Sequence, residues 1–210
     1  PCSDWSFCED DCCRNPNPNF PPLTATSNYT GSSMAYTCTL NNADGSCDDS
    51  PIWNAPPRAY VCQGLVTYMD NGAVDPDGDS LAYKLIDVLD GCGTATINYN
   101  AGFSNNYPLS TASGVFPFDI TTGQSIFEAL FIPNQFEVSV IGVEITSFRN
   151  GVQKGTVVRD MQVVTVQGCD PLSAVSQGVV YVGGETKLSG DTILVCAGDT
   201  LDFDVLVIDP

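Results

Sequence analysis

The sequence contains no histidine, and only seven of its 210 residues are lysine or arginine. Without histidine the commonest general base of enzymes is missing, and no serine or cysteine has another identifiable base. The scarcity of cations argues against nucleic acids and anionic membranes as partners, because both bind to clusters of basic side chains. The composition therefore predicts a protein that is not an enzyme and that binds no nucleic acid.

The sequence also lacks a long apolar segment and almost all helical periodicity. No stretch approaches the roughly 18 apolar residues that a membrane-spanning helix needs, so we expect no direct membrane insertion. Apolar residues nevertheless make up 43% of the chain, which is enough for a packed core. The chain opens on a proline with no signal-like segment, and we expect it to be part of a longer protein.

Alternating apolar residues, which are typical of β-strands, mark the segments 81–88, 136–146 and 156–166. The dipeptide Asn150-Gly151 lies between the last two segments and favours a tight hairpin turn. Many strands joined by polar turns predict an all-β protein built of antiparallel, Ig-like β-sandwich modules.

Within the segment 136–146 the apolar positions change parity. Val138 and Val140 share one side of an extended strand, whereas Val143 and Ile145 share the other side. A β-bulge near Gly142 would produce this change, and the sequence predicts one there.

Ten cysteines in a β-rich chain predict disulfide bonds and an oxidising, extracellular compartment. Zinc is disfavoured, because histidine is absent and no two cysteines have the two-residue spacing of common zinc sites. The sequence does not fix the connectivity, but Cys38 with Cys47 and Cys169 with Cys196 are two local pairings that we expect. The disulfide candidates are Cys2, Cys8, Cys12, Cys13, Cys38, Cys47, Cys62, Cys92, Cys169 and Cys196.

The stretch GAVDPDGDSLAYKL, residues 72–85, carries the alternate aspartates Asp75, Asp77 and Asp79. Three carboxylates in one short loop repel one another unless a cation lies among them, which disfavours acid–base catalysis. Hard oxygen ligands of this kind suit Ca²⁺, and Gly78 permits the tight turn. A plain Asp-Pro-Asp-Gly turn without metal is the alternative, and the sequence leaves both open.

Further Ca²⁺ ligands would have to come from elsewhere in the fold. Asp160 is the fourth predicted ligand, because it lies inside an apolar strand where an unpaired carboxylate is costly. Its alternative is an ion pair with Arg149 or Arg159. The remaining candidates are Asp48, Asp49 and Glu144.

An internal repeat predicts tandem modules. Val61-Cys62-Gln63-Gly64 and Val195-Cys196-Ala197-Gly198 begin 134 residues apart, as do Asp75-Pro76 and Asp209-Pro210. We expect residues 1–47 to be the C-terminal part of a Cys-rich module, residues 48–168 to form a complete β-sandwich, and residues 169–210 to begin the next module.

The aspartate stretch resembles the opening of cadherin-like and PKD-like β-sandwich repeats of large secreted proteins. It is closer still to repeats of gliding-motility-associated surface adhesins of Bacteroidota, which the type IX secretion system exports. Further stretches fit the same pattern in the same order: CCRNPN (12–17), CDDSPIWNAPPRAYVC (47–62), FDITTG (118–123), FRNGVQKGTVVRDMQVV (148–164) and LVCAGDTLDFDVLVIDP (194–210).

The resemblance implies a structural repeat of an extracellular or cell-surface adhesin or filament, with a role in attachment or gliding. The implied partners are neighbouring modules of the same chain, other copies in a filament, and surface glycans. It also implies that Ca²⁺ at the aspartate loop would stiffen the array. Asp-Ser/Thr followed by an aliphatic residue resembles O-glycosylation sites of secreted Bacteroidota proteins, which makes Ser80, Thr192 and Thr200 candidates for glycosylation.

A glycan-binding module is the second function that the sequence suggests. Tyr99, Phe103 and Tyr107 lie close together in INYNAGFSNNYPL, and exposed rings of this kind would form a stacking platform for sugars. The alternative is that the three rings pack at the edge of the sandwich.

Overall fold

The computed structural model describes residues 2–14, 24–93, 95–125, 131–169, 175–182, 187–189, 192–194 and 203–208. The chain divides into two compact units, Pro1–Gly168 and Cys169–Pro210. Every regular element in the described ranges is a β-strand, so the protein is all-β as predicted.

In the described part of the first unit, the strands are β1 Trp5–Asp11, β2 Thr24–Ala25, β3 Met34–Leu40, β4 Ile52–Trp53, β5 Tyr60–Cys62, β6 Met69–Asp70, β7 Ala73–Val74, β8 Ser80–Ile86, β9 Gln124–Ser125, β10 Glu137–Arg149 and β11 Val152–Val166. In the described part of the second unit, they are β12 Val175–Val182, β13 Lys187–Ser189, β14 Thr192–Leu194 and β15 Phe203–Ile208.

The long hairpin of β10 and β11 forms the centre of the main sheet. Its turn is Asn150-Gly151, with φ of 52° and 78°, and this confirms the predicted hairpin because such turns need two positive φ values. Beyond β11 the sheet continues through β3 to β1, and on the other side β8 pairs with the second half of β10, all antiparallel. Two short strands, β2 and β5, pair in parallel with β10 and β11.

Two apolar clusters pack on opposite sides of β10. Ile141 and Val143 belong to the larger cluster, whereas Val138 and Val140 belong to the smaller one. Other members of the larger cluster are Val61, Met69, Leu109, Phe116, Phe131, Met161 and Val163, and those of the smaller cluster are Tyr29, Val88 and Ile97. The first unit is therefore sandwich-like, with apolar packing on both faces of its main sheet.

The predicted β-bulge at Gly142 is wrong. Gly142 pairs in register with Asp160 on one side and Ile86 on the other, and the irregularity in the hairpin lies between Ser147 and Phe148. The apolar parity changes because the strand passes from one cluster to the other, without any change in its own pleat. Close packing explains the glycine, since an added Cβ would lie 2.9 Å from the Ile86 side chain.

The predicted division of the chain at residue 47 differs from the structure. β3 ends before that position and β5 begins after it, yet both belong to the main sheet through β11. The long-range pairing with β11 joins the first 47 residues to those that follow, so residues 1–168 are one compact unit.

The second unit begins at Cys169 and contains two antiparallel pairs, β12 with β15 and β13 with β14. The second copy of the predicted repeat, Val195-Cys196-Ala197-Gly198 and Asp209-Pro210, lies outside the described residues. No helix in the described ranges has the length and hydropathy of a membrane span.

Disulfide bonds support the prediction of an oxidising environment. Cys8 is bonded to Cys92, 84 positions away, and Cys12 is bonded to its neighbour Cys13. Cys62 and Cys169 are disulfide-bonded as well.

The predicted pairing of Cys38 with Cys47 is wrong, because both are free thiols, as is Cys2. Cys38 is fixed within β3, opposite Phe7 of β1, whereas the Cys47 carbonyl accepts a hydrogen bond from a different element, the end of β10. The other predicted pairing involves Cys196, which lies outside the described residues.

Candidate functional site at the acidic loop

The aspartate loop between β7 and β8 is a tight turn capped by its own first aspartate. Asp75 Oδ1 accepts the backbone N–H groups of Asp77 at 3.0 Å and of Asp79 at 3.1 Å. The N–H of Gly78 donates to the Asp75 carbonyl at 3.1 Å. Gly78 has a φ of 78°, which glycine adopts without strain. Turn chemistry therefore accounts for the order of residues in this loop.

One cation, Arg149 at the end of β10, contacts three carboxylates. Its Nε donates to Asp79 at 2.7 Å, and its Nη2 lies 3.0 Å from both Asp48 Oδ1 and Asp77 Oδ2. Strand register brings it there, because its neighbour in β10, Phe148, pairs with the first residue of β8. We call Arg149 together with Asp48, Asp75, Asp77 and Asp79 the acidic cluster.

The acidic cluster holds more negative charge than one guanidinium neutralises. The side chains of Asp48 and Asp79 are only 4% and 3% exposed. Burial raises the pKa of Asp48, and the nearby Asp79 and Asp75 add to this effect, whereas Arg149 opposes it. The hydrogen bond to Asp79, before the other contacts, raises the pKa of Arg149. The cluster is therefore held together by Arg149 but keeps a deficit of positive charge.

The carboxylates of the loop do not form a Ca²⁺ site in this arrangement. Asp75 Oδ2 and Asp79 Oδ2 are the cluster's buried oxygens without a hydrogen-bond partner, whereas Ca²⁺ takes about six to eight oxygen ligands. The other loop contacts go to Arg149 and to backbone N–H groups, including that of Asp49, which donates to Asp77 Oδ2 at 2.7 Å. Among the described residues, no group of three or more acidic or cysteine side chains is placed to hold a metal ion.

Tyr83 of β8 ties the aspartate loop to the FDITTG turn. Its hydroxyl accepts the N–H of Ala73 at 3.0 Å and donates to the Ala73 carbonyl at 3.3 Å. Its ring packs so closely on Gly123 that a Cβ there would lie 2.5 Å from a ring carbon. Asp119 caps that turn through the N–H of Thr121 at 2.8 Å. The stretches that carry the sequence resemblance thus meet in space and bind one another.

The fourth predicted ligand, Asp160, lies far from the aspartate loop. It pairs with Gly142, whereas the first residue of β8 pairs with Phe148, which is roughly 20 Å further along β10. Asp160 forms a buried ion pair with Arg14, whose Nη1 donates to Oδ1 at 2.8 Å and whose Nη2 donates to Oδ2. The predicted place of Asp160 among the Ca²⁺ ligands is therefore wrong, because Arg14 already supplies its cation.

The alternative pairing of Asp160 with Arg149 or Arg159 is also wrong. Arg149 belongs to the acidic cluster, and Arg159 lies with its guanidinium 4.0 Å from the centre of the Trp53 ring. The Nη2 of Arg159 donates to the Ala55 carbonyl at 2.7 Å. The last ligand candidate, Glu144, pairs with Lys84 at 2.7 Å on the surface of the sheet.

The three rings of the suggested glycan platform do not lie on one surface. Tyr99 packs against the smaller apolar cluster, and its hydroxyl donates to the Val140 carbonyl at 3.3 Å. Tyr107 packs against the larger cluster and stacks on Phe103 with ring centres 5.9 Å apart. The rings serve the two cores, as the alternative interpretation has it.

The candidate glycosylation sites have different surroundings. Ser80 is exposed at the start of β8, and its hydroxyl donates to the Phe148 carbonyl at 3.1 Å. Thr192 begins β14, and Thr200 lies outside the described residues.

The resemblance to cadherin-like repeats and gliding adhesins rests on the motifs and their order along the chain. Nothing beyond the sequence identifies such a family, so family membership stays a prediction. Comparison with protein-family models, with curated proteins and with solved structures finds no match to this chain.

Proposed function

We propose that this chain is a non-enzymatic structural repeat of a large secreted adhesin or filament that takes part in surface attachment or gliding. The observation that carries the proposal is the acidic cluster. Its polar side chains bind one another, and through Arg149 they tie the 47–49 segment, the aspartate loop and the β10 hairpin together. Such a cluster locks the end of a module and leaves few polar groups for a substrate.

Three further features support a place outside the cell or on its surface. Disulfide bonds such as Cys8–Cys92 persist in oxidising compartments. The net charge of −18 keeps long arrays soluble, since like charges repel. The 134-residue offset of the sequence repeat supports tandem Ig-like modules, with the second unit as the beginning of the next one.

The function is tested in the bacterium that makes the protein. The gene segment for this chain is deleted in frame, and surface exposure of the product is measured by antibody labelling of intact cells. We expect the wild-type protein to be labelled from outside and the deletion to reduce attachment or gliding. Unchanged attachment together with labelling only in broken cells would exclude the proposed function.

Ca²⁺ enters this proposal as a competitor of Arg149, because both neutralise the same carboxylates. Replacing Arg149 by methionine leaves four aspartates without their cation, which destabilises the module and frees oxygen ligands for the metal. We expect Arg149→Met to gain a clear rise in melting temperature with roughly 1 mM Ca²⁺, the range in which extracellular Ca²⁺ modules bind. The wild-type protein should gain little.

Magnesium at the same concentration and a chelator serve as controls for the Ca²⁺ experiment. Lys84→Met is the matched control variant, because it removes a cation that pairs with Glu144 at the surface. A large, chelator-sensitive Ca²⁺ response of the wild-type protein would show that the metal displaces Arg149, and would contradict the structural role given to this arginine.

A further inference from the structure

β1 is an edge strand of the main sheet. It pairs with β3 at all seven of its residues, from Trp5↔Leu40 to Asp11↔Met34, and with no other strand in the described part of the chain. All seven residues are exposed. One side of β1 therefore presents a row of backbone N–H and C=O groups that no described strand pairs, which is the template for adding another strand.

An apolar groove runs along the same edge. Phe7 is 51% exposed and Tyr36 is 46% exposed, and both project from the same face because Phe7 pairs with Cys38 and Glu9 pairs with Tyr36. A cavity of about 520 Å³ opens beside them, and Val157 of β11 contributes to its wall. Trp5, which is 49% exposed, extends this face towards the start of β1. Apolar surface of this kind on a strand edge indicates a docking site for a side-chain row of matching spacing.

The charge at this edge selects the partner. Glu9, Asp10 and Asp11 follow one another in β1, and the first 13 residues contain no lysine or arginine. No ion pair joins these three carboxylates to a cation of the described residues. A second copy of this chain, with its own charge of −18, would be repelled. A basic strand would be attracted.

β1 is also fixed before any partner arrives. The Cys8–Cys92 disulfide links its centre to another segment, and the Trp5 indole N–H donates to Asn42 at 3.3 Å. Three residues after its end, Arg14 is anchored to Asp160 and to the Ser32 carbonyl. A rigid strand loses little conformational entropy on binding, so its edge is prepared for a partner.

From these observations we propose that β1 binds an extended polypeptide of alternating apolar and basic residues by strand addition. The partner's backbone pairs with the free edge of β1. Its apolar side chains enter the groove beside Phe7, and its lysine or arginine side chains meet Glu9 and Asp11.

The proposal is tested with a synthetic peptide that alternates valine and lysine over the length of β1. Binding to the full chain is measured by anisotropy of the labelled peptide, and its place is mapped from backbone amide shifts in NMR spectra. We expect saturable binding with the largest shifts in β1. Two further peptides are N-methylated at all valines or at all lysines, because alternate amides of a strand point to opposite sides. Strand addition predicts that their dissociation constants differ at least tenfold, whereas equal values would overturn it.

Charge reversal on β1 provides the matched test of the partner's chemistry. Glu9→Lys/Asp11→Lys should weaken binding of the lysine peptide at least tenfold and create binding of a valine–glutamate peptide. The control Asp49→Lys/Asp87→Lys changes the net charge equally at exposed positions outside β1 and should alter the dissociation constant less than twofold. Equal weakening by both double variants would mean that only net charge matters, and it would overturn the proposal. Shifts in β1 that depend on protein concentration without peptide would instead identify a second copy as the occupant, and would overturn it too.

Discussion

At the scale of single residues, the ion pair of Arg14 and Asp160 holds β3 against β11. The Arg14 side chain is fully buried, and its guanidinium also donates to the Leu89 carbonyl at 3.2 Å. Removing one partner of a buried pair leaves the other charge without compensation, which typically costs about 3–5 kcal/mol. We expect Arg14→Met and Asp160→Asn each to lower the free energy of unfolding by about this amount in urea titrations.

The double variant Arg14→Met/Asp160→Leu separates the pair's own contribution from the cost of an isolated charge. Two apolar side chains of similar volume leave no buried charge behind, so the double variant should recover most of the lost stability. Losses that simply add up in the double variant would show that the two side chains do not act as a pair.

Glu137 is a buried carboxyl that has no cation beside it among the described residues. Its two oxygens accept the backbone N–H of Ser110 at 2.5 Å and the Ser110 hydroxyl at 3.0 Å. Burial raises the pKa of Glu137 above its ordinary value of 4.5, and the two hydrogen bonds only partly offset this. A raised pKa in the folded state means that the contribution to stability is complete below pH 4.5 and is lost as the pH rises through the folded pKa.

Glu137→Gln should remove this pH dependence, because the amide keeps the shape and carries no charge. Relative to wild type, the variant should gain about 1 kcal/mol between pH 4 and pH 8, the scale of one buried polar interaction. Urea unfolding at the two pH values measures the gain. Glu144→Gln on the same strand is the control, because its partner Lys84 is largely exposed. An equal pH-dependent gain in the control would rule out burial as the cause.

Residue roles that depend on distant partners could not be predicted from the sequence. The turn chemistry of Asp75 and Gly78 is local, and the alternative of a plain turn was visible in the residues themselves. Arg14 lies 146 positions from Asp160, and the two meet only because β3 and β11 are neighbours. Arg149 follows the same logic, since only the register of β8 against β10 places it beside the aspartates.

At the scale of elements, the period-two pattern predicted the strands well, because it reports directly on which side of a strand is buried. The segments 81–88, 136–146 and 156–166 correspond to β8, β10 and β11. The pattern misled where a strand is buried on both sides. Along β10, burial passes from one face to the other, and a sequence pattern cannot distinguish this from a bulge.

Gly142 tests the close approach of β8 and β10. A Cβ at this position would lie 2.9 Å from the Ile86 side chain and 3.0 Å from the Ile86 carbonyl. Overpacking of this kind typically costs about 1–3 kcal/mol, so Gly142→Ala should lower the free energy of unfolding by that amount. Gly93→Ala is the control, because a Cβ there meets nothing within 4 Å. Equal stability of the two variants would contradict the packing role of Gly142.

At the scale of the whole molecule, the boundaries of the folding unit are the open question between sequence and structure. The sequence repeat predicts a module that starts at residue 48, whereas residues 1–168 form one compact unit. A repeat offset measures the spacing of modules but not where each one begins, because a shift of both boundaries leaves the offset unchanged. Pairing of β1 and β3 with β11 decides the matter in favour of the longer unit.

Two truncated chains test this unit. Residues 1–168 should unfold in one cooperative urea transition. Residues 48–168 lack β1, β3 and Arg14, which leaves the edge of β11 unpaired and Asp160 buried without its cation. We therefore expect the shorter chain to aggregate or to show the poorly dispersed NMR spectrum of an unfolded protein, and an added peptide of residues 1–47 should restore dispersion. If residues 48–168 fold alone with the stability of the longer chain, the first 47 residues belong to a preceding module after all, and β1 and β3 only dock onto a sheet that is complete without them.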